Sequence, residues 1–152
     1  MAINIQLENM YYEDLEDRVQ FDDGTLTEHE LSKRDSIRLE TFLKLEPEID
    51  KNEIWNCHYA CLLLMHSAEA EPNFYEKAHW YAKKAVDMGS NVTKWLYAAS
   101  LDRWLVSQGK KQKYGTQYDI KTGRILPYDN ETTDTERKNF GLPPLNELIE
   151  RY

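Results

Sequence analysis

Apolar residues recur at helical spacing along most of this chain, and the breaks between the periodic stretches carry residues that start or stop helices. Thr27-Glu28-His29-Glu30 reads as a capping box, in which the Thr27 hydroxyl accepts from the amide three residues on and Glu30 reaches back. It starts a helix predicted over residues 27–46, ended by Pro47 because the residue before proline is pushed out of the α region. A second helix is predicted over 52–68, where Trp55, Tyr59, Leu62, Leu63, Leu64 and Met65 leave it apolar nearly all round and therefore central. Pro72 opens a third. Its inner face is Phe74, Ala78, Tyr81, Ala82 and Ala85, and Gly89 stands where a left-handed cap wants glycine. A fourth helix over 92–108 stops at Gly109.

Beyond it the period is lost. Residues 110–134 hold glycines, a proline and tyrosines without helical spacing, and Thr116 to Leu126 reads as two short strands around Lys121-Thr122-Gly123. A short helix over 135–139 with Gly141 as its stop, then Pro143-Pro144 and a final helical turn to about Arg151, complete the chain. The expected fold is mainly α: a compact helical bundle with an αα-hairpin and a small β-hairpin near the C-terminus. The fragment Ala78 to Ala85 with Gly89 resembles the consensus of Sel1-like and tetratricopeptide hairpins. Only one copy is visible, and a solenoid needs about three repeats, so one hairpin inside a bundle is expected rather than an array.

Charge divides the chain differently. The first 30 residues hold nine acidic residues and one base, Arg18, which accounts for the whole formal net charge of -8, while the remainder is balanced. Residues 1–26 are therefore expected to be a solvated, partly ordered acidic arm with apolar residues enough for a short docked helix, and 27–152 a single helical domain. An acidic excess argues against nucleic-acid binding, which needs clustered Lys and Arg. No stretch approaches 18 apolar residues and no signal peptide is visible, so no membrane span is expected and the cytoplasm is the expected location.

Some polar residues fall on apolar stripes. At about 100 degrees per residue, Val92, Leu96, Ala99 and Val106 share a line with Arg103 in its middle and Asp102 beside it. Leu31, Asp35, Arg38, Phe42 and Leu45 share another, and His66 lies on a face with Trp55, Tyr59 and Leu62. Inward ionised groups seldom add net stability, because each costs several kcal/mol to desolvate. Asp35, Arg38, His66, Asp102 and Arg103 are thus expected to converge either as a network that fixes helix register or as a ligand or catalytic pocket.

The segment Gln112-Lys113-Tyr114-Gly115-Thr116-Gln117 follows directly, dense in hydrogen-bonding groups around a glycine. Here the chain resembles a mostly bacterial helical family known as a domain of unknown function. Its members carry an Asp-Arg pair in a helix, a Gln-x-Tyr-Gly-Thr-Gln motif, a Pro-containing stretch and a closing Gly-Leu-x-Pro-Leu. The matching residues are Asp102-Arg103, Gln112 to Gln117, Pro127 and Gly141 to Leu145, within a resemblance that spans Arg34 to Tyr152. His66 and Glu69 resemble a further His-acid feature of that family. The resemblance implies site residues and no activity.

Other constellations carry less. Cys57, His58 and Cys61 share one helix, but Cys57 and Cys61 lie on its apolar face with no second ligand pair, so no metal and no cofactor is expected. No Ser elbow, P-loop or dinucleotide fingerprint occurs. Two functions stay open. One is a polar pocket for a small polar or anionic ligand, with Arg38 or Arg103 as anion clamp, His66 as acid or base, and Tyr114, Gly115, Thr116 and Gln117 with Asp35, Asp102 and Gln112 shaping the site. The other is an acidic interaction module, immunity-like or antitoxin-like, that occupies a basic site on a protein partner.

Overall fold

A computed structural model of the chain describes residues 2–67 and 73–150. Among them are α1 (Ile5–Asp22), α2 (Glu28–Leu45), a 3-10 turn (Glu46–Glu48), α3 (Ile54–Ser67), α4 (Asn73–Asp87), α5 (Lys94–Ser107), α6 (Asp134–Asn139) and α7 (Leu145–Glu150). The predicted ends at Ala68 and Arg151, the opening residue Pro72 and the family-like Glu69 lie outside the described residues.

The predicted caps sit where their chemistry acts. Thr27 accepts from the Glu30 amide at 3.2 Å while Glu30 accepts from the Thr27 amide at 2.9 Å, so two amides at the start of α2 are satisfied reciprocally. Pro47 falls in the turn that ends this helix. At the end of α4, Gly89 takes φ +104°, which lets the Ser90 amide reach back to the Ala85 carbonyl at 3.0 Å.

Helix α3 is the axis of the bundle: α1, α2, α4 and α5 all pack on it, and α4 packs on both α3 and α5. Leu7, Met10, Phe42, Leu45, Cys57, Leu63, Leu64, Tyr81 and Ala99 belong to one core. Small residues let the helices close up, as with Ala60, Ala78, Ala82 and Ala85, all fully buried. Tyr81 reaches out of this core to donate to Glu46, which also pairs with Lys77. A second, smaller cluster of Ala98, Tyr114 and Leu142, with Tyr97 and Phe140 against it, fixes the C-terminal segment onto α5.

The acidic N-terminal segment is more ordered than expected. It forms 18 residues of helix, and Leu7, Met10, Asp14 and Asp17 point into the bundle. Asn56, fully buried on α3, explains the docking: its Oδ1 accepts from the Asn4 amide at 2.8 Å, and its Nδ2 donates to the carbonyls of Ala2 and Asp50. Asn4 in turn caps α1 by accepting from the Leu7 amide. A solvated arm would leave that buried amide without these partners.

The expected β-hairpin is absent as a ladder. Among the described residues there are only single bridge pairs, Tyr118 with Ile125 and Gln112 with Tyr128. A side chain supplies the reason. The Leu126 amide donates to the Gln117 carbonyl at 3.1 Å, as in an antiparallel pair, but the return bond is missing. Gln112 stands in its place, its Oε1 accepting from the Gln117 amide and its Nε2 donating to the carbonyls of Gln117 and Leu126. No helix of the described residues is long and apolar enough to cross a membrane.

Candidate functional site

The five inward charges separate into two centres. In the first, between α1, α2 and α3, Arg18 forms a bidentate pair with Asp35 at 2.6 and 2.8 Å, and Arg38 bridges Asp17 at 2.7 Å and Asp35 at 2.9 Å. Arg34 adds a second bond to Asp17, and the His66 Nδ1 meets Asp14 at 2.6 Å. Three carboxylates thus face three guanidinium groups, and the cluster is closed on itself. Desolvation would raise the Asp17 carboxyl, but hydrogen bonds from Arg38 and Arg34 outweigh it and hold it below its ordinary value. Within this cluster two buried atoms, Asp14 Oδ2 and Arg38 Nε, 3.9 Å apart, have no hydrogen-bond partner among the described residues.

Asp14, Asp17 and Arg18 had not been singled out in the sequence, because acidic residues in a charged segment read as solvent-facing. Their spacing carried the signal: positions 7, 10, 14 and 17 form one helical stripe, which Leu7 and Met10 mark as inward.

His66, His58 and His79 all have lowered pKa values, with burial as the first cause in each. For His66, Arg18 and Arg103 add to the lowering, against the hydrogen bond and charge of Asp14. The sign follows directly. An unfolded chain takes up these protons near the ordinary value of 6.5, whereas the folded chain resists until lower pH, so the unfolded state binds more protons and stability falls as pH drops below about 6.5. Urea midpoints measured between about pH 7.5 and 5 are expected to decline steadily, and His58→Gln with His66→Gln to flatten the decline. A profile unchanged by the substitutions would contradict this.

The second centre is built on α5. Asp102, fully buried, accepts from the amides of Lys113 (2.8 Å) and Tyr114 (2.9 Å) on one oxygen, and from the amide (3.0 Å) and hydroxyl (2.7 Å) of Thr116 on the other. Burial pushes its carboxyl above the ordinary value and these four bonds oppose it. The backbone amides can only donate, so the ionised carboxylate is the form that satisfies them. Asp102 therefore folds the Gln112 to Gln117 loop around itself.

Gly115 makes that wrap possible, with φ +89°, a region that residues with side chains rarely adopt, and with the Ile125 side-chain tip only 3.2 Å from where a β-carbon would stand. Gly115→Ala is expected to lower stability by about 1–3 kcal/mol, measured by urea unfolding; no loss would contradict the tight wrap. Arg137, almost wholly buried, closes the loop from outside by donating to the carbonyls of Tyr114 and Thr132. The Asp134 carboxylate three residues back is a partner that spacing can suggest, but the Tyr114 carbonyl, which ties Arg137 to the loop, is distant in sequence and leaves no mark there.

Arg103 takes a different path from its neighbour. Its Nε donates to Gln117 Oε1 at 3.0 Å and its Nη1 to the Met65 carbonyl at 3.3 Å. The Gln117 amide is itself oriented by the Thr116 hydroxyl at 3.0 Å. This places Arg103 on the wall of a cleft of about 500 Å³, with Tyr75, Thr116, Gln117, Tyr118, Asp119 and Ile120 among its lining residues.

Of the predicted site residues, Arg103, Thr116 and Gln117 line the cleft. Asp102, Gln112, Tyr114 and Gly115 lie behind it and hold the loop that forms its wall. Asp35, Arg38 and His66 belong to the ion cluster. The turn at Met65 and His66 touches both centres, since Arg103 bonds one residue and Asp14 the other. Tyr75 and Asp119 were not foreseen. Burial pushes the Cys57 and Cys61 thiols up to about 11 and about 12, the reverse of a nucleophile's environment. No family model matches the chain, and no curated protein or solved structure matches it.

Proposed function

We propose that the cleft between α5 and residues 116–126 binds a small ligand through an anionic or strongly polar group received by Arg103. The observation that carries this reading is the anchoring of Arg103. Hydrogen bonds to Gln117 and the Met65 carbonyl fix the guanidinium on the cleft wall, so little side-chain freedom remains to be lost when an anion docks. The cleft, about 500 Å³, has the size of small-molecule pockets, and Val106, Ile120 and Leu126 give it the apolar share such pockets have. Asp119 on the same wall favours a ligand that also offers a donor, as an amino acid does.

The reading is binding rather than catalysis. His66 is committed to Asp14 and is not among the lining residues, and Ser107 in the wall donates to the Trp104 carbonyl at 2.6 Å rather than to a base.

Thermal melting against a panel of small carboxylates, phosphates and amino acids tests it. A ligand at about 100 times its Kd stabilises by about 2.7 kcal/mol, which for a chain of this size raises Tm by about 5–10 °C. The shift is expected in the wild type and is lost in Arg103→Ala. A shift that survives in the mutant, or a panel without any shift, would remove the support for this cleft.

A further inference from the structure

Helix α1 carries two seams. One faces the bundle through positions 7, 10, 14 and 17. The other faces outward: Ile5, Tyr12, Leu15 and Val19 are 63%, 58%, 38% and 64% exposed. Scattered exposed apolar residues need no explanation, but these four fall on one line. Ile5, Tyr12 and Val19 are spaced seven apart and Leu15 stands at the d position between the last two, with the acids Glu8 and Asp22 at the other two d positions, so the ridge is apolar along one line and acidic at its ends. Tyr12 lies 6.4 Å, centroid to centroid, from Tyr59, on which Trp55 stacks half-exposed, so the apolar surface continues onto α3.

The exposed charges of α1 itself are of one sign, and Arg34, across the groove on α2, is paired with Asp17. Glu13, Glu16, Asp22 and Asp23 are exposed, and Glu13 and Glu16 border one side of a groove of about 380 Å³ whose other side is Arg34, Ile37 and Arg38 of α2. Arg18, the one base of α1, is turned to Asp35 and Asp14. A second copy of this chain fits poorly, because two such faces place acid on acid whichever way the helices run.

We infer that the outer seam of α1 docks a basic amphipathic helix of a partner protein, its apolar ridge on Ile5, Tyr12, Leu15 and Val19 and its Lys or Arg flanks on Glu13 and Glu16. This surface is separate from the cleft, and its test does not depend on the cleft's ligand.

The test uses the full chain and two synthetic three-heptad peptides, both with Leu at the seam positions, one flanked by Lys and the other by Glu. Calorimetric titration is expected to show the Lys peptide binding at least about tenfold more tightly than the Glu peptide, with affinity falling as salt is raised. Leu15→Ser with Val19→Ser weakens the Lys peptide about tenfold or more while the melting temperature, set by the buried seam, holds. Glu13→Lys with Glu16→Lys reverses the preference toward the Glu peptide, and Arg103→Ala leaves both affinities alone. Lys-peptide binding that ignores the Leu15 and Val19 substitutions, or no binding at all, would overturn the proposal. So would sedimentation showing a wild-type dimer that the Leu15 and Val19 substitutions dissolve, because the occupant would then be a second copy.

Discussion

Replacing Arg38 with alanine is expected to lower the unfolding free energy by about 3–5 kcal/mol. Arg38 holds Asp17 and Asp35 at 2.7 and 2.9 Å in a setting almost closed to water. Its removal leaves Asp17 to Arg34 and Asp35 to Arg18, both more exposed than Arg38. The loss comes from carboxylates left buried with less compensation, not from the attraction of the original pairs, which only roughly offsets the desolvation of both partners. Removing Asp17 as well should therefore recover part of the loss, so that the double substitution costs about 0.5–3 kcal/mol less than the two single ones added together. Urea unfolding of the four proteins measures this. A single-mutant loss below about 1 kcal/mol would mean that the cluster is screened like surface ion pairs.

Asp102→Ala should have a comparable cost but a different distribution. It strands the amides of Lys113, Tyr114 and Thr116 together with the Thr116 hydroxyl, and each unsatisfied buried donor costs about 1–3 kcal/mol. The chain can avoid most of that cost by opening the loop to water, because among the described residues the segment is held by bonds to α5, by a small apolar cluster and by Arg137 at the Tyr114 carbonyl. Hydrogen exchange separates the outcomes. In the wild type the Tyr114 and Thr116 amides are expected to exchange slowly. In Asp102→Ala they exchange fast while the amides of α3 keep their protection, and ligand-dependent stabilisation at Arg103 disappears with the wall. Global unfolding, or a loop that stays protected, would contradict the picture of Asp102 as a local pin.

The sequence made the helices legible where local chemistry decides them. The Thr27 and Glu30 box, the stop at Pro47 and the glycine cap after α4 act within a turn of the chain, and all three stand in the structure. Helix α1 was legible only in part. Nine acids in 30 residues mark a solvated segment by composition, yet two of them are buried, Asp17 against Arg34 and Arg38 of α2 and Asp14 against His66 of α3, a fact that lies in tertiary pairing.

The same limit applies to the loop. Its residues stood out because they are rich in hydrogen-bonding groups, but donors that grip a ligand and donors that grip Asp102 look alike in sequence. Gln112 shows the point most clearly, since its amide replaces a missing ladder bond and so removes the expected hairpin. Asp102 and Arg103 are neighbours in the chain, yet one is enclosed by the loop and the other borders the cleft. Adjacent positions on a helix point about 100 degrees apart, so an inward pair need not share a destination.

The central claim is that Arg103 receives a ligand in the cleft, and its own Nε–H resonance reports on it most directly. Two-dimensional NMR of the labelled protein, titrated with the carboxylate, phosphate and amino-acid panel, should show at least one compound moving the Arg103 Nε–H signal together with the amides of Gln117, Tyr118 and Asp119. The amides of α1 should stay in place. A panel that leaves these four signals still, or moves only signals elsewhere, would contradict the account.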